Sequence, residues 1–251
     1  DTGRILLSFG KEEGQVLASS LSADGRILAC LYHDQVLRLW DVGSGEQRGA
    51  VTKIGGRSSN LAFSPEGATL AFAVAGRLAF WHCDDEAAPS PLLGHPSAVT
   101  SLSPSPDGRR IASASCEGSV RVWDAEEGLL LHSFTHDEGG ERTGSSAGYL
   151  GEIGTAVRFS PEGATLLTAG FGGAVQARDG STGEALSQLR KPDSRADGRD
   201  LTGLALTPDG QTLLCLTRNG KASLRNPATG DETMSIQCGD AASWGDLSKD
   251  S

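Results

Sequence analysis

Three side chains of the kinds found in a nucleophilic catalytic triad lie close together in the sequence: His95, Ser113 and Glu117. A catalytic serine needs a histidine to take its proton and a carboxylate to orient that histidine. The same three groups can instead hydrogen-bond to one another in the protein interior as a structural network. Spacing alone permits both interpretations, so the elements that carry these residues have to decide between them.

Two other patterns suggest a metal or a phosphate ligand. His132 and His136 are four residues apart, a spacing that places two metal ligands on one face of a helix. In an extended strand, however, the same separation is about 13 Å at about 3.3 Å per residue. Gly220-Lys221 is not a phosphate-binding loop, because Ala222 stands where a hydroxyl residue is required. We therefore predict no metal site and no cofactor.

The elements that carry these residues follow an internal repeat. A hydroxyl residue, one intervening residue, an acid and usually a glycine recur six times along the chain. The acids are Asp24, Glu66, Asp107, Glu162, Asp209 and Asp250, separated by 42, 41, 55, 47 and 41 residues. A second marker follows the acid after 16 residues in four units and after 15 in another: Trp40, Trp123, Arg178, Arg225 and, for the shorter unit, Trp81. This regular spacing indicates a repeat protein.

Each repeat contains four short apolar runs bounded by Gly, Pro, Asp or Ser, which is typical of strands joined by hairpin turns. No long stretch keeps the 3.6-residue apolar period of a helix. The sequence therefore predicts an all-β chain.

Four antiparallel strands in a repeat of about 41 residues resemble the WD-repeat β-propeller family. The Trp-Asp pair that ends the third strand in that family is intact at Trp40-Asp41 and Trp123-Asp124, and its Gly-His pair stands at Gly94-His95. The resemblance implies a β-propeller of four-stranded antiparallel blades over residues 1–251. Five complete units are expected at approximately 10–52, 53–93, 94–134, 135–189 and 190–237. Partial units at 1–9 and 238–251 favour an open arc of a larger propeller.

The resemblance also bears on the residues that look like a triad. In the family, the Gly-His histidine, a second-strand Ser or Thr, a turn acid and the closing tryptophan form a buried hydrogen-bonded tetrad. The matching residues are His95, Ser113, Glu117 and Trp123, with Glu in place of the usual Asp. We expect a structural tetrad and no catalytic residue. Arg178 and Arg225 replace the tryptophan in the fourth and fifth units, so we expect softer blades there.

The family binds partners on its loop rim, often through the residue just before the turn acid. Here that position is occupied by His33, Cys116, Phe171 and Arg218. Two long loops expected on the same rim contain Tyr149 and Arg195. Aromatic and arginine side chains are common interaction hot spots, which favours Phe171 and Arg218. The alternative is that these are turn residues without a role.

Composition excludes several function classes. The net charge of −10 disfavours binding to nucleic acid. No apolar stretch approaches the roughly 18 residues of a membrane span, so no membrane partner is expected. The five cysteines are widely spaced, which indicates reduced thiols and a cytoplasmic location.

We expect a non-catalytic scaffold that binds protein partners through its loop rim. The first strands of the units, which line the channel in the family, offer one charged side chain in the runs compared, Arg158, whereas acid–base catalysis needs several converging groups. Two alternatives stay open: a sensor or regulatory module of a larger signalling protein linked to a kinase or ATPase, and a propeller hydrolase or lyase. Additional blades or domains of the same parent chain are expected as further partners.

Overall fold

The computed structural model describes residues 14–51, 60–74, 77–83, 90–91, 94–116, 118–135, 156–170, 174–190, 201–217 and 220–237. Within these ranges the regular structure is entirely strand, and the strands form five antiparallel sheets of four strands each. The prediction of an all-β chain built from four-stranded antiparallel sheets is therefore confirmed. The partial units at 1–9 and 238–251 lie outside the described residues, and the unit boundaries stay a prediction. The described residues contain no helix of the length and apolar character that a membrane span requires.

The chain divides into two compact units, Asp1–Ala98 and Val99–Ser251. In the first unit, the first sheet consists of β1 (Val16–Leu21), β2 (Ile27–Tyr32), β3 (Leu37–Asp41) and β4 (Gln47–Val51). The second sheet consists of β5 (Leu61–Phe63), β6 (Thr69–Val74), β7 (Arg77–His82) and β8 (Ser90–Pro91).

The second unit contains three sheets. The third sheet consists of β9 (Val99–Pro104), β10 (Arg110–Ser115), β11 (Ser119–Asp124) and β12 (Leu130–Thr135). The fourth consists of β13 (Ala156–Phe159), β14 (Thr165–Ala169), β15 (Val175–Asp179) and β16 (Ala185–Arg190). The fifth consists of β17 (Leu201–Leu206), β18 (Leu213–Thr217), β19 (Lys221–Arg225) and β20 (Glu232–Gln237).

The turn between the first two strands of each sheet explains the hydroxyl–acid–glycine signal. In every sheet the hydroxyl oxygen accepts the backbone N–H five residues later, at 2.9–3.0 Å: Ser22 from Ile27, Ser64 from Thr69, Ser105 from Arg110, Ser160 from Thr165 and Thr207 from Thr212. The glycine that closes the turn has a φ between 70° and 75° in all five sheets. Such angles suit glycine, because a side chain resists the left-handed region. The repeated signal is thus the local chemistry of one hairpin turn.

The acid completes this turn where it is an aspartate. The hydroxyl donates to the carboxylate at 2.6 Å between Ser22 and Asp24 and at 2.5 Å between Ser105 and Asp107. The carboxylate also accepts a backbone N–H two residues later, at 3.0 Å from Arg26 to Asp24. These bonds hold the pKa of Asp24 below its usual value, the hydroxyl of Ser22 being the main cause. The turn is consequently closed by side-chain and backbone bonds together.

The core of each unit lies between successive sheets. We call the face of a sheet that packs on the next sheet its rear face, and the opposite face, which carries the closing Trp or Arg, its front face. In the first unit the rear face of the first sheet packs on the front face of the second through Leu31, Leu39, Phe63, Phe72 and Trp81, among others. In the second unit the third sheet packs on the fourth through Ala112, Ala114, Val120, Val122, Val157, Phe159 and Leu166. The fourth packs on the fifth through Leu167, Ala169, Val175, Ala177, Leu204, Leu213 and Cys215.

A row of polar contacts joins the first strands of the third and fourth sheets. Ser101 Oγ accepts the N–H of Val157 at 3.2 Å, and Ser103 Oγ accepts the N–H of Phe159 at 3.0 Å. Arg158 donates to the carbonyl of Leu102 at 3.1 Å and to Ser101 Oγ at 3.2 Å. Its guanidinium therefore bridges two sheets.

Candidate protein-binding rim

The turn between the second and third strands has the same backbone hydrogen bond in the first, third and fifth sheets. Tyr32 accepts from the N–H of Gln35 at 3.0 Å, Ser115 from Gly118 at 3.1 Å and Thr217 from Gly220 at 3.0 Å. The donor residue has a positive φ each time, 63°, 90° and 77° respectively. His33, Cys116 and Arg218 each follow the accepting residue. Two residues predicted for the rim, His33 and Cys116, thus stand at one position of a repeated turn.

His33 is exposed and stands on a braced turn. The next residue, Asp34, accepts the N–H of Val36 at 2.9 Å and both terminal nitrogens of Arg38, at 3.3 and 2.9 Å. The Arg38 guanidinium in turn lies 4.8 Å from the centre of the Tyr32 ring, a cation–π distance. The bond from Arg38 is the main reason that the pKa of Asp34 lies below its usual value. These contacts fix the backbone from which His33 projects.

Cys116 is also exposed, and its turn is closed by serines. Ser115 Oγ lies 2.8 Å from Ser119 Oγ across the turn. In the fifth sheet Thr217 Oγ1 makes a comparable bond to the carbonyl of Lys221 at 2.9 Å. The exposed position at Cys116 therefore has a rigid frame, like that of His33.

The remaining predicted rim residues, Phe171, Arg218, Tyr149 and Arg195, lie outside the described residues, as does Glu117 of the expected tetrad. Their assignments stay predictions.

Two members of the expected tetrad are joined in the third sheet. The indole Nε1 of Trp123 donates to Ser113 Oγ at 2.8 Å, and Ser113 has no exposed surface. A serine without exposed surface cannot reach a substrate, which favours the structural role over the catalytic one. His95 is buried and belongs to the first unit, whereas Ser113 and Trp123 belong to the second. The four-residue tetrad as a whole stays a prediction.

The arginines at the closing position form contacts that the sequence analysis missed. Arg178 is buried and donates to the carbonyl of Gly183 at 3.1 Å, to Thr135 at 3.3 Å and to the side-chain oxygen of Gln176 at 3.1 Å. Its guanidinium lies 4.2 Å from the centre of the Phe134 ring. Because Phe134 and Thr135 belong to the preceding sheet, Arg178 connects two sheets.

Arg225 makes the corresponding bonds in the fifth sheet. It donates to the carbonyl of Gly230 at 2.9 Å and to Glu232 at 2.5 Å. In both sheets the accepting glycine is five residues after the arginine. The presence of Arg at both closing positions, each followed by a turn glycine at the same distance, is the sequence signal that could have indicated this bond.

The residue after the closing position caps the turn between the third and fourth strands. One side-chain oxygen accepts two backbone N–H groups in four sheets: Asp41 from Gly43 and Ser44, Asp124 from Glu126 and Glu127, Asp179 from Ser181 and Thr182, and Asn226 from Ala228 and Thr229. The hydroxyl of Ser181, together with these N–H groups, lowers the pKa of Asp179 to about 2. The aspartate of the Trp-Asp pair therefore has a local turn function here.

The described residues contain no group of three or more His, Cys, Asp or Glu side chains that could hold a metal ion. His132 lies on β12 and is half-buried, and His136 lies outside the described residues. Arg158 is engaged with backbone and serine oxygens. Neither His132 nor Arg158 therefore belongs to a converging set of acid and base groups among the described residues.

The sheets, the repeated turns and the capping aspartates define a repeat protein of four-stranded antiparallel sheets. The family model "WD domain, G-beta repeat" matches residues 89–124. WD repeat-containing protein SL1-17 of Schistosoma mansoni is 30% identical over 132 residues, 52% of this chain and 44% of that protein. Uncharacterized WD repeat-containing protein sll1491 of Synechocystis is 28% identical over 165 residues, 64% of this chain and 42% of that protein. Telomerase protein component 1 of Rattus norvegicus is 29% identical over 171 residues, 67% of this chain and 6% of that protein.

The chain is similar to WD-repeat proteins, and the resemblance predicted from its repeat spacing is confirmed. It spans less than half the length of the first two relatives, at 44% and 42%.

Proposed function

We propose that this chain is a non-catalytic scaffold that binds protein partners through the rim formed by the turns between the second and third strands. One observation carries the proposal. The same hydrogen-bonded turn recurs in the first, third and fifth sheets, while the residue that follows the accepting residue in the sequence changes from His33 to Cys116 to Arg218. A constant backbone with variable side chains is the arrangement expected of a binding surface on a rigid scaffold.

The hydrogen bonds that order these turns lower the entropic cost of binding a partner. The Asp34–Arg38–Tyr32 cluster orders the first turn before any partner arrives. A surface ordered in advance loses less conformational entropy when it binds, so more of the contact energy remains as affinity. One relative is named as a component of telomerase, and membership of a larger assembly agrees with the proposed role.

Affinity capture of partners with single rim variants tests the proposal. We expect Arg218→Ala and Phe171→Ala to lose a common set of partners and His33→Ala to weaken at least part of that set, because one partner surface would span several turns. Arg26→Ala is the matched control, since Arg26 is exposed on a turn at the other end of its sheet. Unchanged recovery with all three rim variants, or equal losses with Arg26→Ala, would rule out the rim.

A cytoplasmic location is part of the same proposal. Cys116 is an exposed thiol, and Cys30 is a buried thiol whose pKa is raised by burial. A reducing compartment keeps an exposed thiol from oxidation. Thiol labelling in intact cells should modify Cys116 and leave Cys30 protected; complete blocking of Cys116 by a disulfide would argue against this location.

A further inference from the structure

The turn between the third and fourth strands lies against the preceding sheet at two places in the second unit. Gly183 in the fourth sheet has a φ of 75°, and a β-carbon added to it would lie 3.1 Å from the Phe134 ring of the third sheet. Gly230 in the fifth sheet has a φ of 79°, and an added β-carbon would overlap the backbone of Leu189 on β16. Each glycine lets its turn approach the neighbouring sheet closely. We call the contact between Gly230 and Leu189 the fifth-sheet joint.

An arginine holds each of these two turns, but its other acceptors differ. The arginine at the closing position donates to the carbonyl of the turn glycine, at 3.1 Å in the fourth sheet and 2.9 Å in the fifth. Arg178 also donates to the side-chain oxygen of Gln176, a neutral amide, at 3.1 Å. Arg225 instead donates to the carboxylate of Glu232 at 2.5 Å. A carboxylate thus stands in the fifth sheet where the fourth sheet uses an amide.

Two cations of β19 hold the carboxylate of Glu232. Lys221 donates to both of its oxygens, at 3.1 and 3.3 Å, and Arg225 donates to one of them. Asp231, on the same turn, accepts the hydroxyl of Thr229 at 2.7 Å. The described side chains of β16, the strand that meets the turn, carry no charge: Ala185, Leu186, Ser187 and Leu189.

Protonation of Glu232 removes the charge on which these bonds depend. Partial burial raises the pKa of Glu232, but its hydrogen bonds to Lys221 and Ser235 and the nearby positive charges outweigh this effect. The pKa therefore lies below its usual value. The bonds are complete above the pKa of an unfolded glutamate, about 4.3, and are lost as the pH falls below it through the pKa of the folded chain.

We propose that Glu232 is an acid-sensitive latch of the fifth-sheet joint: its charge fixes Arg225 on the turn, and the turn loosens from β16 when that charge is removed. One path of contacts joins the carboxylate to the fourth sheet, from Arg225 to the carbonyl of Gly230 and from Gly230 to Leu189. Arg178 uses neutral acceptors, so we expect the third and fourth sheets to stay together in acid. None of these residues belongs to the proposed rim, so each proposal can fail without the other.

The thiol of Cys215 reports on this joint. Cys215 has no exposed surface and belongs to the same apolar core as Leu189, between the fourth and fifth sheets. Loosening of the joint exposes the thiol to 4,4′-dithiodipyridine, a reagent that labels thiols in acid as well. Mass spectrometry of the digested chain separates Cys215 from the other cysteines. Cys30, which is buried and belongs to the first unit, is the control for global unfolding.

Labelling of the full chain at about pH 6 and about pH 3.5 tests the latch. We expect acid to accelerate the labelling of Cys215 about fivefold more than that of Cys30, as the loss of an ion pair can do. Glu232→Gln should label Cys215 at the faster rate at both pH values, and Glu232→Asp, which keeps the charge, should restore part of the pH dependence. Glu184→Gln is the matched control, since Glu184 is exposed at the corresponding turn of the fourth sheet.

Thermal unfolding at both pH values checks that each variant is folded. Three results would each overturn the proposal. The first is a ratio of the two labelling rates that does not change between the two pH values. The second is the same pH dependence in Glu232→Gln as in the unaltered chain, and the third is its loss in Glu184→Gln.

Discussion

The third and fourth sheets place different residues at the same closing position. Trp123 in the third sheet donates one hydrogen bond to Ser113, a residue of its own sheet. Arg178 in the fourth donates to Gly183 and Gln176 of its own sheet and also to Thr135 of the preceding sheet, while stacking on Phe134. The tryptophan therefore fixes one sheet internally, whereas the arginine connects two sheets.

This difference shows what the closing position requires. Both side chains are wide and planar, and both present N–H groups at their edge. A guanidinium can stack on an aromatic ring as an indole can, and it has more donors to place. The fourth sheet thus lacks the tryptophan but has the contacts of Arg178 in its place. The lower stability of this sheet, expected from the sequence, stays a prediction.

The largest effect is expected from Trp123→Ala. The substitution empties a fully buried site and leaves Ser113 without its indole donor, so we expect unfolding to become easier by about 3–5 kcal/mol. Urea unfolding followed by circular dichroism measures this change. Trp123→Phe, which keeps most of the ring volume, should recover more than half of the loss. Equal losses for both variants would mean that the hydrogen bond, and not the packing, dominates the third sheet.

Arg178→Ala should destabilise the chain by about 2–3 kcal/mol, less than Trp123→Ala, because burial of a charge offsets part of the gain from its contacts. Arg178→Lys should restore little, since an ammonium cannot stack flat on Phe134 while donating to three oxygens. Hydrogen exchange shows which strands are destabilised: in Arg178→Ala we expect the amides of both β12 and β15 to exchange faster. Faster exchange in β15 alone would show that the arginine does not connect the two sheets.

Gly183→Ala tests the packing between the third and fourth sheets. Gly183 has a φ of 75°, and its added β-carbon would meet Phe134 at 3.1 Å; Gly25 has a φ of 71° with nothing within 4 Å. We expect Gly25→Ala to cost about 1 kcal/mol from backbone strain alone and Gly183→Ala about 2 kcal/mol. Urea unfolding of both variants gives the difference. Equal costs would show that the Phe134 ring moves aside freely.

The smallest effect is expected from Asp179→Asn, and it depends on pH. The pKa of Asp179 in the folded chain is about 2, below the value of about 3.9 for an unfolded aspartate. The stability that the carboxylate contributes is therefore complete above about pH 4 and is lost as the pH falls towards 2. Asn226 makes the same turn bonds in the fifth sheet, so the variant should fold and show a shallower loss of stability over that window.

Urea unfolding between pH 2 and pH 5 measures the last effect, with Asp41→Asn as a second aspartate of the same turn type. The pKa of Asp41 is also lowered, mainly by the N–H of Ser44, so the two variants should change the pH dependence in the same direction. An unchanged slope in Asp179→Asn would show that the carboxylate of Asp179 does not contribute charge-dependent stability.

Features that depend on neighbouring residues in the sequence could be predicted. The hydroxyl of Ser105 bonds to an amide five residues away, and Asp41 bonds to amides two and three residues away, so fixed spacings in the sequence reveal both turns. The sheet number and strand order followed from the repetition of these turns. The third sheet matched the family pattern well enough to place Ser113 beside Trp123.

Features that depend on contacts between sheets could not be predicted. Arg178 bonds to Thr135, a residue 43 positions earlier, and the pairing arises only when two sheets pack. The exposure of Met234 and Ile236 could not be predicted either, because their sequence pattern resembles that of buried strands. Their exposure depends on what packs against the fifth sheet. The rim was placed by resemblance, and its chemistry at Arg218 and Phe171 has to come from binding experiments.

The serines of β9 have a consequence for aggregation. A strand at the side of a sheet normally offers its outward N–H groups as a template for a foreign strand, which is how sheets join into fibres. On β13 the outward donors of Val157 and Phe159 are already bonded to Ser101 and Ser103. The bonds come from side chains, which cannot extend a ladder, so the two sheets meet without merging and their seam is closed to an invading chain.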